Sequence, residues 1–422
     1  MIRTTFLLII VALLWSCGGN KRKPKDEATK PAEKPATIGQ IHFFLETSAS
    51  MGGYLKGGTT FKDVVSEVVN KSNQIAPVTV YTITDKPQAY NGGVGAFVES
   101  LATTPLANGK SSKLHTIFGQ VGAKATGNDI AVLVSDCILS FPDSEIKRDP
   151  EINRNNASSV LKNQINDQFA SLSKKGISAM VYAFTSPFNG TYYDYQNKKS
   201  LLESEQRPFY IWVIGKQNLV ADLDRQLQDR LSEKPSRQLS FGSGEGMKKY
   251  DLFFGLNKKG DWRAERGNVT EIKFGRKAEP AEFAIGLDLS GLPGYAQSPD
   301  YLKNNLVVKA DNATLKLVSV QRRENVNTTK RMSDREQQLL ARNSHVVTFK
   351  IENLIADEAT INLRLPVRFD TWYETDWSTM DDRSPDGRRR KTFALVHLMN
   401  GVRGAYQTNT NDFVNFSFTL EK

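Results

Sequence analysis

Apolar side chains between residues 40 and 232 follow two alternating patterns. The runs QIHFFLE (40–46), PVTVYTIT (77–84), DIAVLVSD (129–136), ISAMVYAF (177–184) and RPFYIWVIG (207–215) are short, largely unbroken and rich in β-branched and aromatic residues, so they read as buried strands. Between them apolar residues return every three or four positions. Phe61, Val64, Val65 and Val68 form one such set, Leu161, Ile165, Phe169 and Leu172 another, and Leu219, Leu223 and Leu227 a third; each marks one face of a helix. A further short helix is expected near 95–102. This alternation predicts an α/β body over residues 40–245: a doubly wound, mainly parallel sheet with helices on both faces.

Beyond about residue 245 the pattern changes. YDLFFGLN, EIKFG, AEFAIGLDLSG, ATLKLVSVQ, HVVTFKIEN, ATINLRLPV and FVNFSFTLE are short, often alternating segments separated by turn residues. They predict a mostly antiparallel β-sandwich over 246–422, interrupted by one helix in KTFALVHLMNGVRGAY (391–406). A chain of 422 residues with 39% hydrophobic and 24% charged residues is long enough for two such cored domains.

The first residues carry a different signal. Arg3 precedes an apolar run from Phe6 to Trp15, which is far short of the roughly 20 residues a membrane-spanning helix needs. Small residues follow at Ser16, Cys17, Gly18 and Gly19, and LWSC resembles a bacterial lipobox. That resemblance implies a signal peptide over 1–16, a lipidated Cys17, and attachment to a membrane through the lipid. Residues 17–39 are dominated by proline, lysine, alanine and glutamate, the composition of an extended tether. Gly18 stands where an aspartate would resemble an inner-membrane retention signal, and the neighbouring residues are basic. The expected location is therefore a cell-envelope lipoprotein of the outer membrane with its body in the periplasm, surface exposure being the less favoured alternative.

The formal charge of +10 raises nucleic acid as a partner, but the basic residues are scattered. KRKPK (21–25) lies in the tether, RRRK (388–391) precedes the late helix, and neither is interleaved with aromatics as in single-strand binders. No nucleic-acid partner is expected. Cys137 is the only other cysteine and reads as a small buried apolar residue; with Cys17 lipidated, no disulfide can form within the chain.

Candidate chemistry gathers at three places. Glu46, Ser48 and Ser50 follow the first strand in ETSAS, Thr116 lies on a loop entering a helix in KLHTIFGQV, and Asp136 closes AVLVSD. In open α/β sheets ligands bind beyond the carboxyl ends of the strands. In order, spacing and strand position these residues, and the stretch from about 40 to 232, resemble the von Willebrand factor A family. That family builds a metal-ion-dependent adhesion site from DxSxS, a later threonine and a strand-ending aspartate. The resemblance implies Ser48, Ser50 and Thr116 as hydroxyl ligands, Glu46 and Asp136 acting through carboxylates and bound water, and Mg²⁺, or Mn²⁺ or Ca²⁺, as the ion. Glu46 departs from the family aspartate by one methylene, and Mg²⁺ tolerates little distortion of its octahedron. Either the glutamate coordinates in a rearranged site, or the site is vestigial and its hydroxyls cap backbone.

An enzymatic reading would make Ser50, His115 and Asp136 a triad, but no GxSxG elbow is present. His42, His345 and His397 lack metal-ligand spacing. A hydrolase is therefore the lesser alternative, and no catalytic residue is assigned. Three segments are expected on the same sheet edge as Glu46: MGGYLKGG (51–58), CILSFPDSEIKRDPEINRNN (137–156) and TSPFNGTYYDYQNKK (185–199). Their aromatics Tyr54, Phe188, Tyr192, Tyr193 and Tyr195 are candidate anchors for a protein partner, the equal alternative being a hairpin that packs on its own domain. The expected function is that of a non-enzymatic binding protein, and the resemblance to the von Willebrand factor A family implies adhesion or assembly as its class. The other rival is an envelope-assembly subunit working through its β-sandwich.

If Cys17 carries the anchor, Cys17→Ser moves the protein from the membrane to the soluble fraction after high-salt washing, as fractionation and immunoblotting would register. Retention of the variant at wild-type levels would remove the lipid from the account.

Overall fold

The computed structural model describes residues 37–107, 109, 113–140, 143–242, 247–274, 279–328, 332–407 and 412–422, so Cys17 and the tether before residue 37 lie outside the described residues. Its first strands form as expected. β1 (Ile41–Glu46) lies between β2 (Val78–Ile83) and β4 (Ile130–Ser135), parallel to both, and all six residues of β1 and of β4 are buried. The sheet has seven strands in the order β3-β2-β1-β4-β6-β5-β7, where β3 is Pro87–Ala89, β5 Ile177–Tyr193, β6 Lys199–Lys216 and β7 Arg237–Phe241.

The expected mainly parallel sheet is in fact mixed. β4 pairs antiparallel with β6, β6 with β5, and β5 with β7. The reason is local: a parallel neighbour needs a crossover, usually through a helix, and no helix lies between Phe184 and Arg207. Instead β5 and β6 run on past the sheet as a two-stranded ribbon with a register shift between Phe188 and Gly190. Strand directions still place the carboxyl ends of β1 and β4 on one edge, and β5 carries the ribbon out over that edge.

Helices cover both faces. α1 (Thr60–Ile75), α2 (Gly93–Thr103) and α7 (Gln217–Gln228) bury Phe61, Val65, Phe97, Leu219 and Leu223 against one face. On the other face lie α3 (Leu114–Gly122) and α6 (Lys162–Lys174), while α4 (Asp143–Arg148) and α5 (Ile152–Asn156) span the polar insertion after β4. The expected faces of α1, α6 and α7 are the ones buried.

The boundary near residue 245 is not where the α/β core stops. Trp372, Tyr373, Trp377 and Phe393, with Leu395, Leu398, Met399, Val402 and Tyr406 of the late helix Leu395–Tyr406, share one core with α3, α6 and Trp212 of β6. Tyr406 donates to the Ile177 carbonyl at 2.8 Å. A buried polar network adds direction to this docking. Arg207, 1% exposed, donates to the Arg388 carbonyl and to the Tyr192 hydroxyl (3.2 Å), and its guanidinium stands 4.5 Å from the Tyr192 ring centroid. Tyr192 donates to Asp382 at 2.5 Å, and the Tyr195 amide donates to the same carboxylate at 2.9 Å. Arg388 grips Glu205 with two bonds of 3.0 and 3.2 Å.

The remaining strands form a five-stranded sheet and a four-stranded sheet, almost wholly antiparallel, plus a two-stranded pair. Phe283, Ile285, Val347 and Phe349 of the four-stranded sheet and Ile361, Leu363, Phe416 and Phe418 of the five-stranded one belong to a single core. EIKFG, expected as a strand, forms none among its described residues.

A fragment ending at residue 245 would expose the face of α6 and β6 that the late helix covers. It is expected to lose the cooperative thermal unfolding of the whole chain and to bind a hydrophobic dye. A fragment with a sharp transition at the full-length temperature would show that the returning segment is dispensable.

Candidate functional site

Glu46 ends β1 and Asp136 follows β4, its parallel neighbour, so sheet register alone brings the two carboxylates to one edge. Both are buried, at 3% and 1% exposure. The chain after Glu46 turns through a short 3₁₀ segment, Ala49–Gly53, and this folds Ser48 and Ser50 back over the strand end. Ser48 Oγ donates to Glu46 Oε1 at 2.8 Å and lies 3.0 Å from Ser50 Oγ. The second Glu46 oxygen accepts the Ser135 hydroxyl, which also receives the Cys137 amide at 2.8 Å. Four of the five expected site residues therefore meet. Thr116 sits in the first turn of α3, half-buried; neither it nor Asp136 is among the residues lining the cleft that opens over Glu46, Ser48 and Ser50. His115 is likewise outside that lining; burial, and then Lys113, push its imidazole below the ordinary range.

Asp136 is electrostatically perturbed as well as buried. Its Oδ1 accepts the Ile138 amide at 3.1 Å, while Oδ2 is buried with no hydrogen-bond partner among the described residues. Burial, and next the charge of Glu46, raise its pKa from 3.8 to about 7; the Ser50 hydroxyl, the Ile138 amide and Arg207 offset this only in part. An orphaned carboxylate oxygen beside two hydroxyls and a second carboxylate is a donor set suited to a hard cation. Among the described residues no group of three or more His, Cys, Asp or Glu side chains could hold a metal, so a cation here would depend on the serines.

Above this floor opens a cleft of about 520 Å³ lined by Glu46, Ser48, Ser50, Ser140, Asp143, Tyr193, Asp194 and Asn197, among others. Its far wall is the ribbon, joined to the insertion by Asn197 Nδ2 on Asp143 (2.6 Å) and Asn153 Nδ2 on the Tyr195 carbonyl (2.5 Å). The expected aromatic rim is corrected here. Tyr54, Phe188, Tyr192 and Tyr195 are all 2% exposed or less, because Tyr54 and Phe188 pack on each other while Tyr192 and Tyr195 are engaged by Asp382 and Phe393 of the returning segment. Tyr54 meets Phe188 edge-on at 5.0 Å and donates to the Pro208 carbonyl at 2.5 Å, and Tyr195 stacks on Phe393 at 5.4 Å. A Cβ on Gly53 would come within 2.5 Å of three Phe188 ring carbons, which explains the glycine in MGGY. Of these aromatics, Tyr193 is the one that reaches the cleft.

Cys137 takes a left-handed φ of 55°, a conformation that costs a side chain and favours glycine. Its thiol is buried, receives the Trp212 indole N–H at 3.4 Å, and is pushed up by burial, so it packs as the small apolar residue expected. Ser135, Asp143, Asp194 and Asn197 join the site without a motif to announce them. Ser135 is visible in the sequence as the one hydroxyl inside a buried run, whereas the other three reach the cleft only through the loops' packing. No protein-family model, curated protein or solved structure matches this chain.

Folding raises the Asp136 pKa, so between about pH 4 and 7 the folded chain holds a proton that the unfolded chain releases, and stability falls as pH rises through that window. Asp136→Asn cannot ionise; it should flatten this slope and melt above wild type at pH 8 without divalent cations. Calorimetry showing the same slope in both proteins would place the proton elsewhere.

Proposed function

We propose that this chain is a lipid-anchored, non-enzymatic binding protein of the bacterial cell envelope. Its α/β body is von Willebrand factor A-like and takes a polar group of a protein partner into the cleft lined by Glu46, Ser48 and Ser50, next to Asp136. The strands after residue 245 form a β-sandwich that serves as scaffold. The observation that carries this reading is the buried Oδ2 of Asp136, which has no hydrogen-bond partner among the described residues, at the strand end neighbouring that of Glu46, where Glu46, Ser48 and Ser50 line the cleft. Burying a carboxylate oxygen without a partner is costly, and a site of that kind is stabilised when a ligand supplies the missing charge. Further support comes from the strand order β3-β2-β1-β4, the helices on both faces, and the adjacent strand ends that carry the motif.

Ser48, Ser50 and Asp136 would hold Mg²⁺ or a similar ion, which would supply the positive charge that receives a partner carboxylate. Glu46 is the residue that limits this. Its longer side chain reaches the hydroxyls of Ser48 and Ser135 and engages both of its oxygens, so the Ser48 proton points at the carboxylate and the serine is held in place. A shorter carboxylate would release that clamp.

Isothermal titration with Mg²⁺ and Mn²⁺ should accordingly show tighter binding to Glu46→Asp than to wild type, and none to Ser48→Ala/Ser50→Ala. Capture of a partner by the membrane-anchored protein should fall with the serine pair. Wild type binding as tightly as Glu46→Asp would make the glutamate a ligand in its own right, and a partner indifferent to all three changes would remove the cleft from the function.

A further inference from the structure

The four-stranded and five-stranded sheets both end in short strands: Asp251–Leu252 at the edge of the first and Arg263–Glu265 at the edge of the second. Between them lies a second cleft, about 780 Å³, lined by Tyr250, Phe254 and Leu339 on its apolar side. Its charged lining is strongly one-sided: Lys258, Arg263, Arg266, Arg335 and Arg342 against the single carboxylate of Asp251. Asp251 is already engaged by Arg342, through bonds of 2.8 and 2.6 Å, and by the Asn343 amide at 2.7 Å. Arg263 pairs with Glu271 at 3.0 Å, but both side chains are largely exposed, which makes that pair weak. Arg266 and Arg335 form no ion pair among the described residues, and both are exposed.

The backbone adds a second feature. Arg263–Glu265 forms a hairpin with Asn268–Thr270 through a two-residue turn, Arg266 and Gly267, at φ 49° and 86°. Glu265 and Asn268 flank the turn, so the next pair, Ala264 and Val269, points its N–H and C=O groups away from each other. For Ala264 that direction is the open edge, and Ala264 lines the cleft. Tyr250 pins the turn by donating to the Gly267 carbonyl at 3.0 Å.

We infer that this cleft is a second binding site, distinct from the one at Glu46, and that it takes an extended acidic segment of a protein. The segment would pair its backbone with the Ala264 edge, lay alternate apolar side chains on Tyr250, Phe254 and Leu339, and present carboxylates to Arg266 and Arg335. An exposed strand edge is a template for such addition, and side chains of an extended chain alternate with the period this lining requires. Guanidinium groups match carboxylates through paired hydrogen bonds. The open backbone edge is what favours a peptide over an anionic polysaccharide or polyphosphate, which would use the arginines alone.

The test uses the full-length protein and a fluorescein-labelled heptapeptide alternating glutamate with valine and phenylalanine, read by anisotropy. Binding is expected at low salt and should weaken as salt is raised. Arg266→Asn and Arg335→Gln should each reduce affinity about tenfold, the loss of one charge-assisted contact. Arg266→Asn puts at the left-handed turn position a residue that suits it, so its effect cannot come from unfolding. The same peptide N-methylated at alternate residues should lose at least as much. Equal binding by the N-methylated peptide, equal binding by either arginine variant, or polyphosphate displacing the peptide at matched charge while the N-methylated form still binds would each overturn the proposal.

Discussion

The guanidinium of Arg207 is the constraint on which the arrangement of this molecule turns. A charge at 1% exposure is tolerable only when its donors are met and its field is answered, and no single segment of the chain can do both. β6 supplies the arginine, β5 the Tyr192 hydroxyl and ring, and the returning segment the Arg388 carbonyl and the Asp382 carboxylate that Tyr192 reaches. The β5–β6 ribbon and residues 378–393 therefore stand or fall together. The apolar contacts of the late helix with α6 supply the larger driving force, and the polar network fixes the register in which they meet.

That docking decides what the cleft can be. Because the ribbon is tied back through Tyr192 and Tyr195, it cannot extend as a free aromatic hairpin; it becomes one wall of a polar pocket whose floor is Glu46, Ser48 and Ser50. The same packing turns Tyr54 and Phe188 inward against Gly53. The rim thus presents hydroxyls, amides and carboxylates to solvent, and the aromatic rings that make it conspicuous in the sequence are spent on its rigidity. A pocket with fixed walls and the carboxylates of Glu46, Asp143 and Asp194 in its lining is pre-organised for a charged ligand, which lowers the ordering cost of binding.

Much of the first core is legible in the order of residues. Unbroken apolar runs and four-residue spacing locate β1, β2, β4 and the buried faces of α1, α6 and α7, because burial on both sides of a sheet, or on one side of a helix, leaves a local periodic trace. Glu46, Ser48, Ser50 and Asp136 are legible for a similar reason: two adjacent parallel strands with their chemistry at the carboxyl ends bring it together by register alone. Cys137, held at a φ of 55°, belongs with them, since its place after the strand marks it as a packed small residue.

The direction of β6, the depth of the tyrosines and the return of residues 369–406 to the first core come from tertiary contacts. A strand buried on both faces has the same composition whether its neighbour is parallel or antiparallel, so RPFYIWVIG does not reveal its polarity. An aromatic in a polar loop has no local partner to betray its burial, and Tyr192 and Tyr195 find theirs nearly two hundred residues away in Asp382 and Phe393. Which segments are strands and helices, and which carboxylates and hydroxyls share an edge, follows from neighbours close along the chain, and those relations are written into the order of residues. Which rings face solvent, and which segment closes the core, depends on contacts between distant residues, whose pairing leaves no period to read.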